Sequence, residues 1–248
     1  MNKFQYLLQL ADNALILGHR LSEWCGHGPI LEQDIAITNI ALDLVGQARS
    51  WYQYAGEVEG KGRSEDDLAY LRDSMEFRNT LLVEQPNEDW AYTIVRQFFF
   101  DSYNYYLHLQ LAESNDEQIK AIAIKSLKEI TYHLRYSSEW MIRLGDGTEV
   151  SHNKMQTAVD DLWMYTGELC TATEVDKAAH AEGFGADMDA IKLSVNAKIK
   201  DIMQQATLAI PENGWMQKGG KVGRHSEHLG FILADLQFLQ RAYPGNEW

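Results

Sequence analysis

Apolar residues recur at steps of three and four through most of the chain, a spacing that gathers them on one face of an α-helix. The pattern predicts a helix over roughly residues 3–24, ended by the CGHGP stretch, and a second helix over roughly 32–55. Ser64, with Asp67 three residues later, predicts the capped start of a short third helix. The segment LLVEQPNED, which follows it, is expected to be a loop.

A helix predicted over about 88–113 differs from the others because its apolar and aromatic residues go round the whole circumference. Such a helix is buried on most sides, either at the centre of a bundle or against another subunit. A pocket that binds an aromatic ring is the less favoured interpretation of the same residues. Asn87 is the expected cap of this helix, and Asn115 is the expected cap of the next one, which ends near the GDG turn. Their short connection predicts antiparallel packing.

Further helices are predicted over 152–169, 174–182, 187–207 and about 225–242, with the loop IPENGWMQKGGKVGR before the last of them. No segment shows the period of two that a half-buried strand requires. Long helices joined by short loops, with a long crossover, predict an all-α fold with a four-helix core and additional helices. Since no flexible linker or break in composition divides the chain, a single domain over 1–248 is expected.

The charge balance excludes some classes of function. With 22 basic and 36 acidic residues the formal net charge is -14, which disfavours broad binding to nucleic acids or anionic membranes because both need excess Lys and Arg. No apolar run approaches the roughly 20 residues that span a bilayer, and the N-terminal segment lacks the apolar block of a signal peptide. We therefore expect a cytoplasmic protein. Cys25 and Cys170 are in no metal-binding or redox spacing and are expected to be buried thiols.

Two segments carry partial versions of the ligand pattern of di-iron carboxylate proteins. In that pattern two helices each supply one Glu and two others each supply Glu-x-x-His, because iron prefers carboxylate and imidazole ligands in such bundles. The segment ALDLVGQAR (41–49) resembles the D-E-x-G-H segment of the ferritin-like catalytic subunit of bacterial phenylacetyl-CoA epoxygenase. The segment KEITYHLR (128–135) resembles the K-E-E-x-x-H segment of the same subunit.

The resemblance assigns six residues of this chain to the positions of metal ligands. Three of them keep a metal-binding side chain: Glu23 in HRLSEW, Asp101 in FFFDSYNY, and His133. The other three have lost it: Leu44, Gln47 and Ile130. Glu129 stands beside Ile130, but it lies four residues before the histidine instead of three. The resemblance therefore implies a degenerate site without a metal ion.

The three retained residues need another explanation if no metal binds. A buried charge without a partner costs several kcal/mol of desolvation free energy. We therefore expect Glu23, Asp101 and His133 to form a buried polar network in which they pair with one another or with Arg and Lys side chains. The alternative is that one or more of them is a surface or capping residue.

The resemblance extends over the whole chain, in the segments LGHRLSEWCGHGPILE, NIALDLVGQARS, LLVEQPN, KEITYHLRYS and GRHSEHLGFILADLQFLQRAYPG. These identify the chain as similar to the structural, non-catalytic subunits of the same epoxygenase family. Such a resemblance implies a complex that converts phenylacetyl-CoA to its ring-1,2-epoxide with O2 and electrons from NADPH through a reductase. The implied partners are the catalytic subunit, which holds the di-iron centre, and the reductase subunit. This chain would carry no cofactor of its own.

Two other classes of function stay open on the sequence. The chain could be a self-contained ferritin-like oxygenase with an unusual metal site, which stoichiometric iron would reveal. It could also be a stand-alone ferritin-like binding protein without an oxygenase partner. Co-purification with a di-iron subunit that has a complete ligand set would decide against the latter.

Charged residues near the last helix suggest a second candidate site. Lys218, Lys221 and Arg224 lie among glycines ahead of a helix N-terminus, where backbone N–H groups favour anions. A CoA phosphate or an acidic partner is the functional interpretation, and a solvated loop is the favoured one. The neighbouring His225, Glu227 and His228 are expected to be capping and surface residues, because Glu227 and His228 point to different helix faces.

Overall fold

The computed structural model describes residues 2–212 and 214–246. All regular elements in these residues are helical, and no strand occurs among them, which confirms the predicted all-α class. The α-helices are α1 (Asn2–Ser22), α2 (Leu31–Glu59), α3 (Glu65–Tyr70), α4 (Leu81–Glu84), α5 (Trp90–Leu111), α6 (Glu117–Gly145), α7 (Glu149–Leu162), α8 (Thr166–Leu169), α9 (Glu174–Ala181), α10 (Met188–Gln205) and α11 (Glu227–Ala242). Short 3-10 turns occupy Ser74–Glu76, Trp163–Tyr165 and Gly220–Val222.

The chain divides into two compact units. The first unit contains residues 1–86 and 219–248, and the second unit contains residues 87–218. Each unit is built on one pair of long helices, α1 with α2 in the first and α5 with α6 in the second. Long helix pairs of this kind are what a ferritin-like bundle requires. The expectation of a single domain over 1–248 stays a prediction.

In the first unit, α1 and α2 approach each other closely at Gly18. A methyl group built on this glycine would lie 3.3 Å from both the carbonyl oxygen of Ala41 and Cβ of Leu44. Because Gly18 has no side chain, the backbone of α1 can approach α2 closely at this turn. α2 ends at Gly60, whose φ of 69° is the left-handed conformation that glycine adopts at little cost.

A buried ion pair connects α1 to the segment after α3 within the first unit. Asp12 on α1 is fully buried and accepts hydrogen bonds from both terminal nitrogens of Arg72, from the Tyr52 hydroxyl and from the backbone N–H of Arg78. The last of these bonds measures 2.7 Å. Arg72 compensates the charge of Asp12, and the neutral donors bond to the same carboxylate, so the buried charge keeps partners although it is withdrawn from water.

In the second unit, α5 is buried on most sides, as its sequence pattern predicts. It packs against α6, α7, α8 and α10. The consecutive residues Phe98, Phe99 and Phe100 are all buried, although they point in different directions round the helix. These rings therefore form the core of this unit. α6 follows after residues 112–116, a connection too short to let two helices of this length run parallel.

The structure confirms one predicted helix cap and shifts two others by one or two residues. Ser64 and Asp67 form the predicted reciprocal capping box of α3. Asp89, not Asn87, caps α5, because its carboxylate accepts from the first free N–H groups of the helix. The Asn87 side chain instead accepts a 2.6 Å hydrogen bond from Arg96.

A one-residue shift occurs at the start of α6. Asp116, not Asn115, accepts from the backbone N–H groups of Gln118 and Ile119. The backbone N–H of Asn115 instead donates to the carbonyl of Gly183. Cap residues therefore follow the backbone geometry of the turn, which a sequence pattern locates only to within a residue or two.

Four further expectations about local structure are corrected. The segment LLVEQPNED is a loop only in part, because its first residues form α4. The helix predicted over 152–169 is interrupted by the 3-10 turn Trp163–Tyr165, and the loop before α11 contains the turn Gly220–Val222. Asn213 of that loop lies outside the described residues. Cys170 is buried as expected, but Cys25 is exposed because α1 ends before it. None of the described helices is long and apolar enough to cross a membrane.

Candidate functional site

Three of the six positions that the resemblance assigns to metal ligands lie in the first unit. Leu44 and Gln47 are on α2 and are both buried. Glu23 follows the end of α1 and is exposed, with 42 % of its side chain accessible. It pairs with Arg20, whose Nη1 lies 2.8 Å from Glu23 Oε1. The expected ion pair with an arginine is therefore present, but the expectation that Glu23 belongs to a buried network is wrong, because α1 ends one residue earlier.

The other three positions lie in the second unit, and all are fully buried. Asp101 is on α5, and Ile130 and His133 are on α6. Asp101 accepts a 2.7 Å hydrogen bond from Gln97 Nε2 at one oxygen and a 2.7 Å hydrogen bond from Ser137 Oγ at the other. The carboxylate is therefore held by neutral donors of its own unit and not by Arg or Lys, which corrects part of the network prediction.

Burial has a measurable consequence for Asp101. It raises the pKa of this carboxyl to about 6, because desolvation outweighs the opposing effects of His133, Ser137 and Gln97. The expected pairing of Asp101 with His133 stays a prediction. An acid with a raised pKa can exchange a proton near neutral pH, but no other acidic side chain accompanies it in a metal-binding group. Among the described residues, no group of three or more His, Cys, Asp or Glu could hold a metal ion.

Replacement of Asp101 by Asn should make the protein less sensitive to pH. The pKa of Asp101 is higher in the folded state than in the unfolded state, where it is near 4. The contribution of this acid to the free energy of unfolding is therefore fully present below the unfolded pKa and is lost as pH rises through about 6. D101N removes this loss, so we expect it to be more stable than the parent by about 1–2 kcal/mol at pH 7. The amide keeps one bond from Gln97, and Ser137 can donate to the carbonyl of His133 instead.

Urea unfolding of both proteins at a series of pH values between 4 and 7 measures this difference. The replacement Asp43→Asn, at a partly exposed position on α2, serves as the control and should leave the pH profile unchanged. Parallel pH profiles for D101N and its parent would contradict the assignment of a raised pKa to Asp101.

The basic residues before α11 are not placed alike. Lys218 and Arg224 are exposed, whereas Lys221 is buried in the turn Gly220–Val222. Burial withdraws Lys221 from solvent, so the favoured interpretation of a fully solvated loop is wrong at this residue. The proposed contact of Lys218, Lys221 and Arg224 with an anion or a partner stays a prediction.

The sequence analysis missed a buried polar cluster around Glu84 in the first unit. The fully buried Glu84 carboxylate accepts from Asn79 Nδ2 at 2.9 Å and from both the backbone N–H and the hydroxyl of Ser226, at 2.9 and 2.5 Å. The Nδ1 atom of His225 lies 2.5 Å from Glu84 Oε1, the oxygen that also accepts from Asn79, and its Nε2 donates to the carbonyl of Phe77. The assignment of His225 to the surface is therefore wrong, since only 5 % of its side chain is exposed.

This cluster serves the start of α11. Ser226 is the N-cap residue of α11, but its own side chain caps no backbone group of the helix. Instead, Glu84 places a carboxylate at the helix N-terminus, where the helix dipole favours negative charge. Glu227 is exposed and His228 is half-buried. Among the described residues, neither of these two side chains contacts Glu84. A local signal could not reveal the cluster, because Glu84 and His225 are 141 positions apart.

The helix pairs and the partial di-iron pattern together define an all-α protein of the ferritin-like class. Comparison with known proteins gives the family. The chain belongs to the family of phenylacetic acid catabolic proteins, which it matches over residues 1–248. It is similar to one of the subunits of the 1,2-phenylacetyl-CoA epoxidase of Escherichia coli (strain K12), with 49 % identity over 243 residues that cover 98 % of each chain. The family resemblance inferred from the sequence segments is thereby confirmed.

Proposed function

We propose that this chain is the structural subunit of a multicomponent di-iron monooxygenase that epoxidises phenylacetyl-CoA in phenylacetate degradation. The full-length similarity to a subunit of such an epoxidase supports the reaction and the substrate. The burial of Leu44 and Ile130 supports the non-catalytic role. These hydrocarbon side chains stand where a carboxylate would have to bind iron, and they cannot act as ligands.

The donor atoms present do not fit a di-iron centre. In the second unit, Asp101 and His133 are the two retained donors, and both oxygens of Asp101 already accept hydrogen bonds. In the first unit, Glu23 is exposed and paired with Arg20. In the proposed assembly, the partner subunit therefore carries the iron, and this chain contributes no step of the oxygen chemistry. It buries apolar surface of the catalytic subunit and holds the iron-binding helices of that subunit in place, in a cytoplasmic hetero-oligomer.

Metal analysis tests the proposed role against that of a self-contained oxygenase. We expect the chain purified alone to hold less than about 0.1 iron per molecule, because three of six ligand positions lack a donor. Co-expressed with the catalytic subunit, it should co-purify in a fixed ratio, with iron in proportion to the catalytic subunit. Stoichiometric iron in the chain alone, lost in the variant H133A but kept in a control such as H228A, would overturn the proposal. Failure to co-purify would favour a stand-alone binding protein.

The reductase subunit is a further proposed partner. The net charge of -14 would attract a basic face of the reductase and speed its encounter with the complex. We therefore expect the rate of electron delivery to fall by about tenfold as ionic strength rises from roughly 20 to 300 mM, which stopped-flow measurements can follow. A rate independent of salt would rule out electrostatic steering.

A further inference from the structure

One face of α6 carries four cations and two aromatic rings. We name it the α6 strip, formed by Lys125, Lys128, Tyr132, Arg135, Trp140 and Arg143. Its cations are exposed, Tyr132 is 40 % exposed and Trp140 is half-buried. From Lys125 to Arg143, 18 helical steps, the strip is about 27 Å long, comparable with the width of a patch of about 800 Å² that one partner contributes to a stable interface.

The two aromatic rings of the strip are connected through a third ring, that of the buried Tyr136 on the same helix. The Tyr132 ring lies 6.2 Å from that of Tyr136, which lies 6.5 Å from that of Trp140. Trp140 in turn meets Trp90 of α5 edge to face at 6.4 Å. The rings therefore support one another and form a firm surface, which lowers the entropy lost when a partner binds.

Two arginines lie over these rings. The guanidinium carbon of Arg135 is 5.5 Å from the centre of the Tyr132 ring, and that of Arg143 is 4.9 Å from the centre of the Trp140 ring. These cation–π contacts orient the planar guanidinium groups before any partner arrives. A guanidinium in contact with a ring still has N–H donors at its edge, where they match the two oxygens of a carboxylate.

The charges of the strip are poorly compensated within the chain. Lys125, Lys128 and Arg143 form no ion pair with any residue that the structure describes. Arg135 is 4.0 Å from Glu139, and both side chains are about two-thirds exposed. Such an exposed ion pair contributes little to the free energy of unfolding. The half-buried Glu129, four residues after Lys125, is a second acidic residue on this face. In a chain with 14 more acidic than basic residues, four cations on one helix face are an unusual concentration.

We propose that the α6 strip is a docking surface for another protein subunit that presents a face rich in carboxylates. Tyr, Trp and Arg are the residues that dominate the binding energy of protein interfaces, and the open guanidinium edges select carboxylates. A symmetric contact with a second copy is disfavoured, because it would bring these cations against the same cations. Nucleic acid is disfavoured by the net charge of -14. The inference rests on the proposed membership of a multi-subunit oxygenase.

Binding measurements with charge-reversal variants test this surface. The probes are the purified partner subunits of the same oxygenase, each titrated in turn with the full-length chain. The double variant R135E/R143E should weaken binding of one subunit by about 10- to 100-fold. The control K192E/K200E reverses two exposed cations of α10 and gives the same net charge, so it should stay within about twofold. R135K/R143K, which keeps the charge but loses the planar donors, should fall between them.

The outcomes separate the two proposals. Equal weakening by R135E/R143E and K192E/K200E, or no weakening of any subunit, overturns the α6 strip while the proposed function stands. Absence of binding between the parent chain and every subunit overturns both. A self-association of the chain alone, seen by sedimentation and abolished by R135E/R143E, would assign the strip to a second copy and also overturn the proposal. Matching thermal midpoints show that the variants are folded.

Discussion

Replacement of Arg72 by Ala should destabilise the protein by about 3–5 kcal/mol, because it leaves a buried carboxylate without its cation. Arg72 is 1 % exposed, and Asp12 is completely buried. After the replacement, the donors to Asp12 among the described residues are the Tyr52 hydroxyl and the N–H of Arg78. Neither of these carries a positive charge. The free energy of unfolding, from urea titration at pH 7, is the quantity to measure.

A matched control shows whether burial causes this effect. Arg49 also forms an ion pair, with Glu65 at 3.1 Å, but its side chain is 69 % exposed. R49A should therefore cost less than about 1 kcal/mol. The double variant D12N/R72M removes both charges and should recover part of the stability lost in R72A. Similar losses for R72A and R49A would show that Asp12 is not left as an uncompensated buried charge.

Replacement of Glu84 by Ala should cost about 2–4 kcal/mol and loosen α11 within the first unit. The change leaves several donors without an acceptor: Asn79 Nδ2, the N–H and hydroxyl of Ser226, and the ring of His225. Buried donors without an acceptor cost about 1–3 kcal/mol each, and relaxation reduces their sum. Hydrogen exchange should accelerate in residues 225–242, which urea unfolding alone would not localise.

Two further variants make this result specific. Glu227 lies in the first turn of the same helix but is exposed, so E227A should change the stability by less than about 0.5 kcal/mol. E84Q keeps an acceptor for part of the cluster and should lose less than E84A. If E84A exchanged no faster than its parent in residues 225–242, the proposed attachment of α11 through Glu84 would be wrong.

Local patterns predicted most of the helices. The ranges of α2, α5, α6 and α10 follow from apolar periodicity, because each helix must bury one face or, for α5, most of its surface. The capping box at Ser64 could also be predicted, since both of its partners lie within four residues of each other. The errors at Asn87 and Asn115 have one cause. Several residues near a helix start can cap it, and the turn geometry selects among them.

The candidate site was predictable only as a set of residue types. The sequence indicates that Leu44, Gln47 and Ile130 replace ligands, because side-chain chemistry alone excludes or disfavours iron there. It could not indicate that Glu23 would be exposed, since that depends on where α1 ends. Gln97 lies only four residues before Asp101 on the same helix, but the sequence could not indicate that Ser137 would donate to the other carboxylate oxygen, because Ser137 is 36 positions away on another helix.

The sequence by itself determined the all-α class and the family, because these depend on residue identity and on short apolar periodicities. The tertiary structure alone decided which charges are buried and how they are compensated. Asp12 meets Arg72 across 60 positions, and Glu84 meets His225 across 141. Hydrophobic burial brings these groups together, and the cost of desolvating a charge then requires that each find a partner. No local sequence pattern predicts such a long-range pairing.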